Sequence, residues 1–446
     1  MGLKTFERGV HLSYYKELTA SKRIEKALLP KTVIIPLSQH AGTACEPLVK
    51  KGDAVLEGQK IGDVKAFISA PVHASISGKV KEVDLFQTPA GARVLSVVIE
   101  GDGAARQWAV SGVDLSSLPP EAIREAVREA GIVGMGGAGF PTSVKLTPPK
   151  GRAIDTVLLN GCECEPYLTA DHRVMAEEPE KAVWGLKALM KAVGAQNGII
   201  GIEDNKPDAA EAVKKAASAD GSIKIAVLET KYPQGAEKML IKAVLGRKVP
   251  AGKLPLDAGV VVNNVGTAVA VFEALNYRKP LIERVVTISG DAIREPKNLL
   301  VRVGVTFEDV IAQCGGIKDA TKEVEVLNGG PMMGIALTTL GVPVVKGTSG
   351  ITVLSREGAK PLRFDPCIRC ARCVEACPMG LMPYRLGDQG RAHMVAEFKD
   401  WGGFSCIECG CCSYVCPSRR PLLQWIRVGK AKSGREDKMA AAFTGS

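Results

Sequence analysis

Between residues 150 and 275 the apolar positions switch period repeatedly. Four short, β-branched runs, "IDTVLLN", "GIIGIED", "IKIAVLET" and "GVVVNNV", read as strands covered on both faces. Between them lie longer runs with helical spacing, "PEKAVWGLKALMKAVGA", "PDAAEAVKKAAS" and "GAEKMLIKAVLG". This alternation predicts a mostly parallel sheet with helices on both faces. Each strand-like run ends in a polar loop: "NGCECEP", "EDNKP", "ETKYPQG" and "NNVGT". Turn chemistry explains any one of these loops. Four at one edge read as a site, because ligands of such sheets bind beyond the C-terminal ends of the strands.

The stretch ahead of the sheet is helical in pattern. In "PPEAIREAVREAG" the residues Ile123, Val127 and Ile132 share one face. It runs into "GIVGMGGAGFPTSVKL", where Gly134, Gly136 and Gly139 spell G-x-G-x-x-G. A dinucleotide fingerprint follows a strand and opens a helix. Here a helix comes first and Pro141 follows, so the Rossmann reading is weak. Four glycines within six residues (134, 136, 137 and 139) place backbone close to a ligand. A flexible surface loop is the alternative.

The remaining chain divides by composition. Residues 30–100 are rich in short strands and turns and resemble the barrel-sandwich fold of biotinyl and lipoyl domains. Lys65 imitates the acceptor lysine of those domains, but its hairpin is too short and a structural role fits better. His40 and His73 read as satisfied histidines. Residues 284–320 resemble a soluble-ligand-binding β-grasp module, with Cys314 as a small buried side chain. "NGGPMMG" (328–334) is another glycine-rich turn, either bordering the ligand or an ordinary loop. The expected boundaries are 1–110, 111–280, 281–355, 356–430 and a disordered or partner-binding tail, 431–446. The fold class is multidomain α/β plus β with a helical cluster domain.

Composition narrows the function. The chain of 446 residues is 46% hydrophobic, enough for a sizeable core, and carries a net charge of +10. No apolar run is long enough to span a bilayer, and the N-terminus lacks the apolar core of a secretory signal. Phe6 stands where myristoylation would want Ser or Thr. The positive balance favours an acidic protein or an anionic membrane surface. No basic stripe interleaved with aromatics points to nucleic acid. Thirteen cysteines are present, and nine fall between Cys367 and Cys416. In a chain without export signals that clustering argues for metal rather than disulfides.

Cys367, Cys370, Cys373 and Cys377 form C-x2-C-x2-C-x3-C-P, and Cys406, Cys409, Cys412 and Cys416 repeat it. This is the bacterial ferredoxin run, in which the fourth cysteine serves the other cluster. Cys367, Cys370, Cys373 and Cys416 are thus expected to hold one [4Fe-4S] cluster, and Cys406, Cys409, Cys412 and Cys377 the second. Paired zinc sites are the alternative; they would need a looser middle loop and no proline after each run. Cys411 is extra and expected to point away. Arg369, Arg372, Arg419 and Arg420 flank the runs, as a solvated face or as a dock for an acidic electron partner.

Two one-electron centres call for a converter. Glycine-loop N–H groups and Lys145 suit a phosphate, asparagines suit a heterocycle rim, and acids suit ribose hydroxyls. Together they suggest flavin mononucleotide (FMN) beside a nicotinamide nucleotide, since a flavin exchanges hydride for single electrons.

At these residues the chain resembles a family. "GMGGAGFPTSVKL", "NGCECEP" and "VNNVGT" resemble loops of the NADH-binding flavoprotein subunit of respiratory complex I. Over nearly the full length, through "GVHLSYYKELTASKRIE", "APVHASISGKV", "NGCECEPYLTADHRVM" and the twin cysteine runs, the chain is similar to RnfC, the NADH-binding member of the Rnf ion-translocating electron-transport complex. That resemblance implies FMN on the glycine loop, NAD(H) over it, and two [4Fe-4S] clusters passing electrons to the iron–sulfur protein RnfB of the same complex. It implies Gly134, Gly136, Gly137, Gly139 and Lys145 at the FMN phosphate and ribitol, and Asn160, Asn263, Asn264 and Thr267 at the flavin. It further implies Phe140 near the nucleotide, Glu165 on the NADH ribose, Glu163 bordering flavin and nicotinamide, and no side chain as acid or base. Met135, Cys162 and Gly266 depart from the complex I pattern. The implied place is peripheral, on the cytoplasmic face of the membrane, beside the complex's membrane subunits. A soluble NADH-dependent cobalamin reductase and a cluster-bearing docking protein without flavin are the rival functions.

Overall fold

The computed structural model describes residues 2–149, 151–359 and 363–444. At its centre stand four parallel strands in the order Ile223–Leu228, Asn197–Glu203, Thr156–Gly161, Val260–Asn264. Every residue of Val260–Asn264 is buried, and so are five of the six in Thr156–Gly161. Such continuous apolar runs are what a sheet covered on both faces requires. Ile123, Val157, Leu186 and Val271 fill one side, and Leu158, Leu240 and Val262 the other.

The covering helices are punctuated as their sequences require. Pro179–Val193 starts on proline and stops at Gly194, whose φ of 73° is left-handed. It meets the helix Val265–Tyr277 at Gly185, where an added Cβ would lie 2.0 Å from the Ala268 carbonyl oxygen. One helix was not legible in the pattern. Ala170–Glu177 lacks a clear apolar stripe, and its first turn is capped from a distance: Glu163 accepts from the Asp171 and His172 N–H groups at 2.9 and 3.0 Å.

The strand order has a functional consequence. Thr156–Gly161 leads to its neighbour on one side, and the last strand returns on the other. The crevice between the ends of Thr156–Gly161 and Val260–Asn264 is the topological switch point, where ligands of open α/β sheets bind.

Three further units surround this domain. Thr32–Pro36, Gly78–Gln87, Arg93–Gly101 and Ala54–Val55 form an antiparallel sheet. It packs on a smaller one of Glu46–Pro47, Lys60–Asp63 and Val72–His73. Lys65 lies exposed in the loop 64–71 rather than at a tight hairpin tip. The next unit is a six-stranded mixed sheet containing Glu283–Ser289, Lys297–Arg302, Val324–Asn328 and Gly350–Ser355. Its edge strand, Ile24–Lys26, comes from the far N-terminus and pairs parallel with Lys297–Arg302. The N-terminal residues therefore do not all belong to the barrel sandwich. Short helices carry the cysteine runs, and the closing helix spans Leu422–Thr444. The backbone after residue 431 is helical to Thr444, which corrects the disordered tail expected there; residues 445–446 lie outside the described residues.

The first residues act as a strap. Lys4 pairs with Leu228 at the open edge of the central sheet, and Val10 pairs with Tyr232. The Gly9 N–H donates to the Ala376 carbonyl (3.2 Å), and Arg8 Nη1 donates to the Val374 carbonyl (3.2 Å). The same segment thus touches the sheet and the cysteine-bearing domain.

Candidate functional site

The glycine loop is a closed hairpin between two helices, Pro120–Glu129 and Thr142–Lys145. The Gly134 N–H donates to the Phe140 carbonyl at 2.8 Å, and Val133 bridges to Pro141. Three modules grip it. Thr267 Oγ1 accepts from Met135 N–H (3.0 Å), the Ala41 N–H donates to the Gly139 carbonyl (3.2 Å), and Lys346 Nζ donates to the Pro71 and Gly131 carbonyls (2.8 and 2.7 Å). Among the described residues, the N–H groups of Gly136, Gly137, Ala138 and Gly139 donate to nothing. That is the form of an anion cradle.

The loop overhangs the switch point. A Cβ on Gly136, at φ 75°, would lie 3.0 Å from Asn264 Nδ2. Lys145 Nζ stands beside Gly134 and spends one donor on the Val262 carbonyl (3.0 Å). Burial pushes its ammonium down, and Glu237 is the acid that faces it. Beneath the loop, Asn263 is 2% exposed and neither atom of its amide has a partner. Gln234, fully buried, is in the same state. Buried amides left unpaired are costly. Asn263 stands between Val262 and Asn264, which touch Lys145 and the glycine loop, so its unpaired amide, the free N–H groups and the half-paired lysine fit the rim and phosphate of a flavin nucleotide. Gly136→Val should therefore yield a folded, colourless flavin domain, read as loss of bound FMN at unchanged far-ultraviolet dichroism; retained flavin would remove the loop from the cradle.

Some expected ligands are otherwise engaged. Asn160 donates to the Gly235 carbonyl (2.7 Å) and accepts from Cys162 N–H (3.2 Å), so it braces the strand end. Thr267 fastens the loop, donating onward to the Val133 carbonyl. Asn264 caps its own helix through Gly266 N–H and donates to Asp171 (2.6 Å). Glu163 is spent as the helix cap described above. Glu165 is held by the backbone: its two oxygens accept N–H groups from Met332 (3.1 Å) and Met333 (2.7 Å), one each. The "NGGPMMG" turn is thus a clamp on Glu165. Phe140 is half-buried at the loop's end. Gln234 in the "ETKYPQG" loop and Glu237 at the start of the next helix carry no motif of their own; their place after the third strand is the only signal the sequence holds for them.

Asp171 backs the cradle. Burial, with the Glu163 carboxylate beside it, pushes its carboxyl up to about 7 from 3.8, against the opposing pull of Asn264, Arg284 and Lys206. The folded chain keeps a proton there that the unfolded chain releases. Its contribution to stability is full below pH 3.8 and is lost as pH rises toward 7. Asp171→Asn should flatten the fall in unfolding free energy across that window, measured by denaturant titration at stepped pH. An unchanged slope would mean Asp171 is ionised when folded. Glu165, also pushed up to about 7 by burial, leaves a residual slope of the same sign.

The cysteine runs share a backbone. Arg369 and Ala371 in the first, and Glu408 and Gly410 in the second, are left-handed at matching positions. These residues curl each loop so that sulfurs three apart face one centre. Cys377, Cys406, Cys409, Cys411 and Cys412 line one apolar pocket with Leu386, Leu423 and Ile426. Among the described residues no three potential ligands converge as they would on a single ion. The cysteines instead share one apolar pocket, and the four of ferredoxin spacing there fit a cubane cluster. Cys373 lies beside Cys367 and Cys416. Cys411 is fully buried with its sulfur 4.0 Å from the Tyr232 carbonyl oxygen.

The two cysteine sets differ in place. Cys409 and Cys411 pack with Cys164 and Tyr232 against the flavin domain. The Tyr232 hydroxyl donates to the Cys409 carbonyl at 2.7 Å, and Cys164 Sγ accepts from Gly235 N–H at 3.4 Å. Cys367 and Cys370 are exposed instead.

A flavin cradle at a switch point, joined to a twin ferredoxin-type domain, defines a flavin and iron–sulfur electron-transfer protein. Family profiles agree with each module: a Nuo51 FMN-binding domain over residues 127–273, an RnfC barrel sandwich hybrid domain over 4–104, an SLBB domain over 285–336 and a 4Fe-4S dicluster domain over 362–417. The chain is 48% identical to the C subunit of the Na(+)-translocating ferredoxin:NAD(+) oxidoreductase complex of Acetobacterium woodii, covering 96% of both chains. It is 46% identical to the C subunit of the proton-translocating ferredoxin:NAD(+) oxidoreductase complex of Clostridium ljungdahlii, covering 97% of this chain and 94% of that one. To the C subunit of the ion-translocating oxidoreductase complex of Rhodobacter capsulatus it is 43% identical, over 85% and 73%. The chain belongs to the RnfC family.

Proposed function

We propose that this chain is the NAD(H)-reacting subunit of a membrane-bound, ion-translocating ferredoxin:NAD⁺ oxidoreductase, passing electrons between NADH and a partner iron–sulfur protein of the complex. The observation that carries the reading is the placement of the two cysteine sets. One is inside and against the flavin domain through Tyr232 and Cys164; the other is outside and exposed. When bound, FMN exchanges a hydride for two single electrons and the clusters carry them one at a time. The chain's own residues position and exclude. The glycine loop and Lys145 hold an anion, Asn263 and Gln234 offer amides to a ring edge, and the apolar wall around Cys409 keeps water from the inner sulfurs. Hydride transfer needs position rather than a side-chain acid or base.

No helix among the described residues is long and apolar enough to cross a membrane. A peripheral place on the cytoplasmic face, held by the complex's membrane subunits, fits that observation. The barrel-sandwich match and relatives similar over nearly the whole length favour this reading over a cobalamin reductase; the unpaired amides of the cradle favour it over a docking protein without flavin. The test is the visible spectrum of anaerobic protein on adding NADH. Flavin and cluster bands should bleach together; clusters without flavin, or no response to NADH, would sink the proposal.

A further inference from the structure

The outer cysteine set is surrounded by charge of one sign. Ile368, between Cys367 and Cys370, is 67% exposed. Arg363, Arg369, Arg372 and Arg419, which flank the two runs, and Arg391 have exposed side chains. The same surface is closed into one patch by contacts. Asp365 N–H donates to the Ser418 carbonyl, Phe364 packs edge-on against Trp425, and Arg391 stands over both rings. Two exposed acids, Asp365 and Glu375, oppose the five arginines. A third, Asp388, is already spent on Arg420. Arg369, Arg372 and Arg419 make no salt bridge among the described residues. The inner set is arranged differently: its neighbouring Glu408 is neutralised by Arg427 and Lys430 at 3.1 and 2.8 Å, and it faces protein rather than solvent.

Unpaired arginines cost little in solvent and stabilise little. Exposed arginines flanking an exposed apolar residue and exposed cysteines fit a transient redox interface, in which charge steers the encounter and a small apolar centre seats it. We propose that this face docks an acidic redox protein or domain, with Ile368 at the centre of contact and Arg369, Arg372 and Arg419 meeting its carboxylates. The proposal rests on the functional reading above, in that electrons leave by the outer cysteine set. One electron crosses per encounter: the chain's reduced cluster is oxidised and the partner's centre reduced, with no bond made or broken.

The test uses the full chain carrying its clusters. An acidic two-cluster ferredoxin and the basic protein cytochrome c serve as paired electron acceptors, and stopped-flow absorbance follows the transfer. Because photoreduction can load the clusters without NADH, docking is measured even if the nicotinamide reading fails. Transfer to ferredoxin should slow steeply with salt. In the triple variant Arg369→Glu, Arg372→Glu, Arg419→Glu it should fall about tenfold or more, while transfer to cytochrome c rises. Unaltered electron paramagnetic resonance signals would show the clusters intact; if they change, the salt dependence of the unmodified chain decides alone. Salt-independent transfer to ferredoxin would overturn the proposal. So would retention of the arginine face by anionic phospholipid vesicles in competition with ferredoxin, which would make it a membrane contact instead.

Discussion

Cys377→Ala is expected to leave the flavin reducible by NADH while the one surviving cluster stays oxidised. Cys377 belongs to the first run by sequence, yet it lines the inner cavity with Cys406, Cys409 and Cys412. Its removal should therefore damage the inner cluster and spare the outer one held by Cys367, Cys370, Cys373 and Cys416. The inner site is the one in contact with the flavin domain, through Tyr232 and Cys164. Without it, NADH should bleach the flavin bands only, whereas dithionite should still reduce the outer centre. Electron paramagnetic resonance after each reductant reads the difference. If NADH still reduces the surviving centre at the parent rate, the inner-to-outer order is wrong; if the outer centre is the one lost, the crossed pairing is wrong.

The second large effect falls on stability. Lys206 and Glu203 are both fully buried and 3.0 Å apart at the end of the strand Asn197–Glu203. Lys206 Nζ also donates to Asn205 Oδ1, and Glu203 accepts weakly from the Lys231 N–H. Removing one partner strands a charge in a medium that solvates it poorly, at a cost of about 3–5 kcal/mol. That is a large share of the ~5–15 kcal/mol that holds a domain folded. Lys206→Met should lower the unfolding free energy by that order, read from the shift of the denaturation midpoint. Lys206→Met with Glu203→Gln should recover most of the loss, because the uncompensated charge is gone. Equal destabilisation in single and double variants would mean the site is held by shape rather than charge.

The sheet and the cysteine chemistry were the legible parts. Period and punctuation placed the strand Asn197–Glu203 within a residue of "GIIGIED", and helix Pro179–Val193 between its proline and its glycine, because both signals are local. Spacing alone pointed to a twin 4Fe-4S domain, since four thiols at fixed intervals have few other uses. The cradle was half legible. Glycine density marked the loop, but which carboxylates and amides remain free depends on partners far along the chain. Glu165 is taken by Met332 and Met333, 167 and 168 residues away. Gln234 stays free although it looks like a turn residue. Helix Ala170–Glu177 went unseen for the same reason: its cap, Glu163, lies outside it, and its own apolar spacing is faint.

The strap formed by the first residues carries a consequence for synthesis. Arg8 meets Val374, 366 residues further along the chain. At about 5–20 residues per second, roughly 20–70 s separate the emergence of the two ends from the ribosome. During that interval Lys4 and Val10 can already line the sheet edge, but Arg8 and Gly9 have nothing to hold. The cysteine-bearing segment appears later and finds its anchor waiting. Protease sensitivity near Arg8 therefore reports whether a newly made chain has closed around its cluster domain, and it should fall abruptly at that last step.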